Sequence, residues 1–595
     1  MAPRTLVDIF RNLENYQKPD LLLRKKDGAW RPVSTREFME RVKAVSSALE
    51  GLGVPQGGRV ALLSENRPEW SIVDFACQCY GAVLVPVFPT MVAEQAEYLL
   101  KDSGAVVAFS SNADQAAKVL DARRLCPGLK HVVLFDEVSL PGTTSFEEVV
   151  AAGRKAFAAA PEAFERRADA RKPDDLATLI YTSGTTGEPK GAMLLQSNFI
   201  SNVLAAGQLL PLPPTTVALS FLPLSHVLER MVEYLYFHCG ATIAYAESID
   251  KLRDNLGEVN PHIFAAVPRV YEKVHARIMD MVSKAPAVRQ KLFHRALDVG
   301  RRVLELRKQK KTPDLLLAAQ HFVLDRLVFS KIRSALGTRL RYSISGGAPL
   351  SKELAEFFWS AGVEVYEGYG LTETSPVIAV NYPGAWRLGT VGRILPGVEC
   401  RIAPDGEILT RGPHVMKGYF NKPEATKDAI DADGWFHTGD IGRIDEDGFL
   451  AITDRKKEII VNANGKNIAP APIEGLLKGH PFISLPVVIG DRRKFLSCLI
   501  VPNFEKLGDW AKANGLGSLK PESLVKEPRV LEIYQKAVDE WNAGKSHEQL
   551  IVRFALLPND LTIEGGELTP TLKVKRRIID QKYADLIDGM YKGGD

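Results

Sequence analysis

Leu176-Ala177-Thr178-Leu179-Ile180-Tyr181-Thr182-Ser183-Gly184-Thr185-Thr186-Gly187-Glu188-Pro189-Lys190-Gly191 runs a strand-like apolar stretch directly into a loop of hydroxyls, glycines and one lysine. Such a loop is suited to phosphate. Glycines let successive backbone N–H groups turn toward anionic oxygens, the hydroxyls donate further hydrogen bonds, and Lys190 adds a mobile positive charge. It is not a Walker A loop, which needs a Lys-Ser or Lys-Thr pair after its last glycine; here Pro189 precedes Lys190 and Gly191 follows it. Alone, a Ser/Thr/Gly loop equally describes an ordinary turn.

Its companions decide between the two. In order come Ser345-Gly346-Gly347-Ala348-Pro349, Glu367-Gly368-Tyr369-Gly370-Leu371-Thr372-Glu373-Thr374, Gly434-Trp435-Phe436-His437-Thr438-Gly439-Asp440, Asp454-Arg455-Lys456-Lys457-Glu458 and Leu568-Thr569-Pro570-Thr571-Leu572-Lys573. Together they resemble the adenylate-forming superfamily of acyl-CoA synthetases, peptide-synthetase adenylation domains and beetle luciferases. The resemblance runs from about Val33 to the C-terminal lysine segment, and several ordered motifs are far more specific than one loop.

Composition sets the outer bounds. At 595 residues the chain is too long for one ordinary core, so several domains or subdomains are expected. A hydrophobic content of 45%, 25% charged residues and a net charge of +4 are those of an average soluble protein and give nucleic-acid binding no support. The six cysteines are scattered through mostly apolar runs, as reduced core thiols would be, and Cys77 and Cys79 have the wrong spacing for a zinc knuckle. Charged residues interrupt the N-terminus before any long apolar stretch and no run reaches the roughly twenty residues that span a bilayer. The expectation is a cytoplasmic protein whose membrane contact, if any, is peripheral.

Apolar runs alternate with helical patterns: Arg59 to Leu63, Trp70 to Tyr80, Ala82 to Val87 and Ala93 to Leu100. That alternation predicts α/β architecture with helix-covered parallel sheets. From about residue 277 to 336 the pattern becomes helical and carries Arg301, Arg302, Arg307, Lys308, Lys310 and Lys311, which read as a solvated helix face in preference to a membrane-binding surface. Thr312-Pro313-Asp314 then reads as N-cap, first-position proline and acidic first turn of an apolar helix from Leu315 to Phe329. The expected organisation is a large domain over 1–453 with subdomains, a hinge over 454–457, and a small mobile α+β domain over 458–595.

The resemblance implies ATP-dependent activation of a carboxylic acid. A carboxylate is a poor acyl donor, and transfer of its oxygen to the α-phosphorus of ATP supplies AMP as a good leaving group while pyrophosphate departs. Thr182, Ser183, Gly184, Thr185, Thr186, Gly187 and Lys190 would hold the β- and γ-phosphates. Glu373, with Thr182, would hold a magnesium ion, a hard cation that prefers oxygen; alone, Glu373 would read as an acid balancing a helix N-terminus. Tyr369 inherits the ring that lies against adenine, within Glu367-Gly368-Tyr369-Gly370, and Thr372 reaches the α-phosphate. Gly346, Gly347 and Ala348 lack the bulk that would keep backbone from the base. Asp440 and Arg455 match the ribose contacts. Lys573 matches the lysine that bridges the acyl carboxylate and α-phosphate, with Leu572 standing where many relatives have glycine.

That lysine and an incoming thiol compete for one carbonyl. The family resolves this by rotating the small domain, with Lys457 at the matching hinge position, Gly465 leaving room for the pantetheine arm of coenzyme A, and His226 matching the residue that moves between states. Gln196 stands where many relatives have histidine, and nothing in this chemistry requires imidazole there. No acid lies in Phe221 to Ser225 to pair with an amino-acid ammonium, and Lys457-Glu458-Ile459-Ile460-Val461 continues into Gly465 without the insertion common in carrier-loading relatives. The segments Leu222 to Arg230 and Val267 to Lys273 look like those of long-chain fatty acyl-CoA synthetases. Val232, Leu235, Tyr236, Phe237 and Val267 are the candidate acyl-pocket walls, although such a run is usually core. Two other readings stay open: loading of an acyl group onto a carrier protein, and a catalytically silent acyl-nucleotide binder, against which intact Lys190, Glu373, Asp440 and Lys573 argue.

Overall fold

Strand Arg59–Leu63 sends Val60 and Leu62 into one apolar cluster and Ala61 and Leu63 into another. A strand whose two faces are both covered reads as a continuous apolar run, as this one does. The computed structural model describes residues 2–182, 188–456, 458–463, 466–545, 549–569 and 573–592. Among them, Arg59–Leu63 lies inside an eight-stranded sheet that also contains Val83–Val87, Val107–Ser110, His131–Leu134 and Leu176–Thr182, all parallel to their neighbours. Lys190–Leu195 returns antiparallel on Leu176–Thr182, with Lys190 opposite Thr182.

Each expected helix between these strands forms. Helix Pro68–Tyr80 begins with proline, whose missing N–H would have been unpaired there anyway, and ends at Gly81 with φ 90°, where the amide returns to the Cys77 carbonyl. A second, nine-stranded sheet runs Val217–Ser220, Ile263–Ala266, Tyr342–Ser345 and Val365–Gly370 side by side and parallel. Helix Val227–His238 lies between the sheets, and Phe237 stacks on Phe38 with centroids 5.3 Å apart and meets Phe75 edge-on. A four-stranded sheet from Glu399–Ile402 to Leu450–Arg455 completes the larger body.

One buried ion pair ties these layers. Arg230 makes a bidentate pair with Asp74 of helix Pro68–Tyr80, Nη2 to Oδ1 at 2.5 Å and Nε to Oδ2 at 3.0 Å, and Nη1 donates to the Thr178 hydroxyl at 2.8 Å. Tyr234 and Gln78 donate to the same carboxylate, and Thr178 passes its proton on to the Leu84 carbonyl. Gln196, at the position where relatives carry histidine, accepts from the Leu6 amide and donates to Gln78. Its part is to bridge buried elements.

The helical segment contains Pro268–Ser283, Ala287–Lys308 and Leu315–Leu324, the last continuing through a wider turn, Asp325–Phe329, into Ser330–Ser334. Its N-cap is Asp314, whose carboxylate accepts from the Leu317 amide at 2.8 Å. Thr312 and Pro313 therefore precede the helix, a shift of two residues from the sequence reading. The reason is that a side-chain cap must reach an amide three residues on, and Asp314 does so.

Beyond residue 458, strands Ile483–Ile489, Leu496–Pro502 and Ile551–Leu556 form a sheet with apolar clusters of its own on both faces. Two ion pairs join this part to helix Pro268–Ser283: Lys506 to Asp280 at 2.7 Å and Lys478 to Glu272 at 3.3 Å.

Removing one partner of a buried pair leaves the other charged and unsolvated. Asp74→Ala should therefore cost about 3–5 kcal/mol of stability, read as a lowered urea midpoint. A loss under about 1 kcal/mol would show that Arg230 can reach other acceptors.

Candidate active site

The site is built where four neighbouring strands of the nine-stranded sheet end. Val217–Ser220 leads to His226, Ile263–Ala266 to Val267, Tyr342–Ser345 to Gly346 and Val365–Gly370 to Thr372. Open α/β sheets place their crevices at such carboxyl ends. The chain surfaces at Gly347, where φ is +78°, and at Ala348, both exposed, with Val267 Cγ1 3.6 Å from where a Gly347 Cβ would lie. At Gly370 a Cβ would sit 1.7 Å from the Pro376 carbonyl oxygen, so only glycine fits.

Glu373 lies in the short turn Thr372–Thr374 and is buried. Its Oε1 accepts from the Tyr419 hydroxyl at 2.9 Å, and Lys190 Nζ sits 5.1 Å from the centre of the same ring. Tyr419 reaches this place because Gly418–Tyr419 pairs antiparallel with Met193 and Ala192, just after Lys190. Acid, phenol and lysine thus form one group at the end of the phosphate-loop strand. The Thr182 hydroxyl donates to the Lys190 carbonyl at 3.4 Å, and the Thr372 hydroxyl makes no hydrogen bond among the described residues. Ser183, Gly184, Thr185, Thr186 and Gly187 lie outside the described residues, as do the hinge position Lys457 and the candidate passage residue Gly465.

Asp440 and Arg455 face each other across an antiparallel pair of strands. Tyr369 donates to Asp440 Oδ2 at 2.7 Å and Arg455 Nε donates to Oδ1 at 3.1 Å. Burial raises the Asp440 carboxyl above its usual range, against the pull of Arg455, Tyr369 and Lys573. Each carboxylate oxygen can accept two hydrogen bonds, so Asp440 keeps capacity for a ligand's hydroxyls.

Lys573 follows the small sheet and is anchored by its own backbone, its amide donating to the Thr569 hydroxyl at 3.0 Å and its carbonyl accepting from the Thr569 amide at 2.8 Å. The side chain is open to water yet has protein on most sides. The crowding lowers the ammonium's pKa, Arg455 lowers it further, and Asp440, Glu458 and Glu373 oppose both. Close behind, Arg576 makes a bidentate pair with Glu474 at 2.7 and 2.8 Å, holding that strand-to-helix corner.

His226 caps helix Val227–His238, its Nδ1 accepting from the Leu228 amide at 3.1 Å, which leaves the proton on Nε2. Desolvation, then the charge of Lys573, brings its pKa down to about 4, so the ring is neutral at neutral pH. Lys573 is therefore close enough to feel Asp440, Glu373 and His226 at once. Glu367 is buried at the base of the same strand end, pushed up to about 8 by burial, with one oxygen lacking a hydrogen-bond partner.

The candidate acyl walls divide. Phe237 packs in the aromatic core against Phe38 and Phe75. Tyr236 lies near Glu229 and Tyr342, and its buried hydroxyl has no hydrogen-bond partner among the described residues. Leu235 faces Gly207, and Val232 is buried on the same helix. Tyr419, Glu458 and Arg576 went unmarked in the sequence as parts of the site; no local pattern sets a Gly-Tyr pair or a lone glutamate apart.

These features gather charged groups from the large sheets and from the part beyond residue 458. The chain belongs to the AMP-binding enzyme family, whose model matches residues 12–420, while the AMP-binding enzyme C-terminal domain matches 457–595. It is 40% identical over 578 residues to the long-chain-fatty-acid–CoA ligase FadD15 of Mycobacterium bovis, covering 96% of this chain and 95% of that one. It is 32% identical over 632 residues to the long-chain-fatty-acid–CoA ligase ACSBG2 of Xenopus laevis, covering 100% and 84%. Among solved structures, the adenylation domain of a carboxylate reductase from Mycobacterium chelonae superposes with a TM-score of 0.74 at 23% identity, covering 99% of this chain and 91% of that one. An anthranilate CoA ligase in complex with anthranoyl-AMP gives 0.74 at 19% identity, covering 98% of each.

Glu233, fully buried beneath this site, gives a pH signature. Burial pushes its carboxyl up to about 8, although the Ser71 and Tyr245 hydroxyls donate to it. The folded state thus holds a proton that the unfolded chain releases near pH 4.3. The associated stability is complete below about pH 4 and is lost as pH rises to about 8. Glu233→Gln should flatten the fall of Tm across that window, measured by thermal unfolding in matched buffers; an unchanged slope would mean that Glu233 is ionised in the fold.

Proposed function

We propose that this protein is an AMP-forming long-chain fatty acid:CoA ligase. The observation that carries the reading is the arrival of Lys573, from the small C-terminal part, among Asp440, Glu373 and His226 of the large one. The likeness to long-chain-fatty-acid–CoA ligases over nearly the whole chain supports the substrate class.

In the first step a carboxylate oxygen of the acid attacks the α-phosphorus of ATP, and the bond to the β-phosphate oxygen breaks to release pyrophosphate. Asp440 and Arg455 would hold the ribose, Tyr369 and the backbone at Gly346, Gly347 and Ala348 the base, and Lys190 and Thr182 the outer phosphates. Thr372 would donate to the α-phosphate. Lys573 would neutralise charge that develops between carboxylate and phosphorus, where a positioned cation acts most strongly. The donor set fits a magnesium ion carried mainly by nucleotide and water: no cluster of three protein ligands occurs among the described residues, and Glu373 offers one buried carboxylate beside the phosphate loop. When bound, the ion would neutralise the phosphate oxygens as pyrophosphate leaves.

In the second step the thiol sulfur of coenzyme A attacks the acyl carbonyl and the acyl–phosphate bond breaks, releasing AMP. Lys573 occupies that approach, so the small domain over 458–595 would first swing about residues 454–457, breaking the Lys506–Asp280 and Lys478–Glu272 pairs and bringing Gly465 to the thiol passage. The cytoplasm, expected from the sequence, would supply both ATP and coenzyme A. Free coenzyme A tested against a phosphopantetheinylated carrier separates this reading from carrier loading.

Lys573→Ala should abolish acid-dependent pyrophosphate release, by about 10²-fold or more, while supplied acyl-adenylate and coenzyme A still give thioester. Equal loss of both half-reactions in a folded protein would remove Lys573 from this role. Chain length tests the substrate: at roughly 0.8 kcal/mol per buried methylene, kcat/KM should rise by up to about fifteenfold per added carbon pair toward acids longer than about twelve carbons. A maximum at acetate or benzoate would refute the long-chain assignment and leave adenylation standing.

A further inference from the structure

The rod formed by Leu315–Leu324, Asp325–Phe329 and Ser330–Ser334 buries only one side. Leu317, Leu324, Phe329 and Ile332 face inward. On the other side Leu315 is 92% exposed, Leu316 71% and Phe322 61%, and Val323 and Leu327 are each about half exposed. The spacing 315, 316, 322, 323 and 327 places all five on one helical face. Surface leucines scattered singly need no explanation, but a contiguous apolar stripe does.

Charge surrounds the stripe asymmetrically. Lys310 and Lys311 precede it, Arg326 and Lys331 lie along it, all are exposed, and none forms an ion pair among the described residues. The Arg326 guanidinium lies 5.2 Å from the centre of the exposed Phe322 ring. The segment's two acids are engaged internally, Asp314 with the Leu317 amide and Asp325 with both outer nitrogens of Arg333 at 2.6 and 2.7 Å. The free charge offered to solvent is therefore positive, beside an apolar ridge. No helix among the described residues is long and apolar enough to cross a membrane.

We propose that the helix face carrying Leu315, Leu316, Phe322, Val323 and Leu327 docks in the plane of an anionic lipid surface. An interfacial helix buries its apolar side among headgroups and acyl chains while cations meet lipid phosphates, and this face has both halves of that arrangement. A second copy of the chain is a poor occupant, because a two-fold contact would bring the same unpaired cations together. The surface stands on its own geometry. Its use in collecting substrate rests on the fatty-acid reading, since long-chain acids partition into bilayers.

The test is co-sedimentation of the full chain with phosphatidylcholine vesicles, with and without phosphatidylglycerol, at low and high salt. Wild-type protein should bind the anionic vesicles and release with salt. Leu315→Glu/Phe322→Glu should reduce the partition coefficient by about tenfold or more, and Lys310→Glu/Lys311→Glu should remove most of the preference for phosphatidylglycerol. Both variants should keep the wild-type circular dichroism spectrum and pyrophosphate release with a water-soluble medium-chain acid. As a folded-state reporter, Phe322→Trp should be quenched by brominated acyl chains. Equal vesicle binding by wild type and the leucine–phenylalanine variant, or no binding to either vesicle, would overturn the proposal. So would wild-type self-association that the same variant abolishes, or unquenched Phe322→Trp fluorescence. Vesicle binding as expected with no acid supporting pyrophosphate release would leave the surface standing and remove the fatty-acid reading.

Discussion

A buried guanidinium holds the two halves of the site in register. Arg230 sits one turn into the helix that His226 caps, and it is bound to Asp74 and to Thr178. Thr178 belongs to the strand that becomes the phosphate loop four residues later. The helix capped by His226 and the strand ending at Thr182 are therefore tied through one buried charge cluster. Two unit charges buried together are costly unless every donor and acceptor is matched, and here the rings of Trp70, Phe199 and Tyr234 and the donors of Tyr234 and Gln78 complete the match. Such a cluster tolerates little sliding, which suits a site that must align a carboxylate with a phosphorus atom.

The part beyond residue 458 is held differently. Its link to the helical segment is a pair of half-exposed lysine–carboxylate contacts, and its chemical contribution, Lys573, is a charge suspended among Asp440, Glu458 and Glu373. Contacts of this kind are weak and screened by salt, so they can hold one arrangement without trapping it. Rigid pairing between the sheets and loose pairing across the domain boundary are what a reaction with two successive geometries needs.

Much of this was legible in the chain. The alternation from Arg59 to Leu100 marked helix-covered parallel sheets because a strand buried on both faces is apolar throughout. The glycine-rich ends of two strands stood out because the absence of side chains has direct chemical meaning, whereas the Asp440 segment drew notice only through its likeness to a family motif. Tyr419 was not readable: it becomes part of the site only through pairing with a strand more than 220 residues earlier, and a Gly-Tyr pair carries no local signal. Phe237 was ambiguous for the opposite reason. An apolar residue in a buried helix suits a core and a pocket equally, and only the rotation of Val227–His238 about its axis turned it toward Phe38 and Phe75.

The amino-acid order by itself determined the fold class, the order of the motifs and the identity of the charged groups available for chemistry, because periodicity, glycine and titratable side chains act locally. The tertiary structure alone decided which of those groups meet. It brought Lys573 within electrostatic reach of Asp440, set Tyr419 between Lys190 and Glu373, buried Arg230 against Asp74, and left one apolar face of the rod from Leu315 to Ser334 uncovered beside cations that form no ion pair among the described residues. These are pairings across hundreds of residues, and their energy depends on burial and mutual distance, quantities that exist only once the chain has closed on itself.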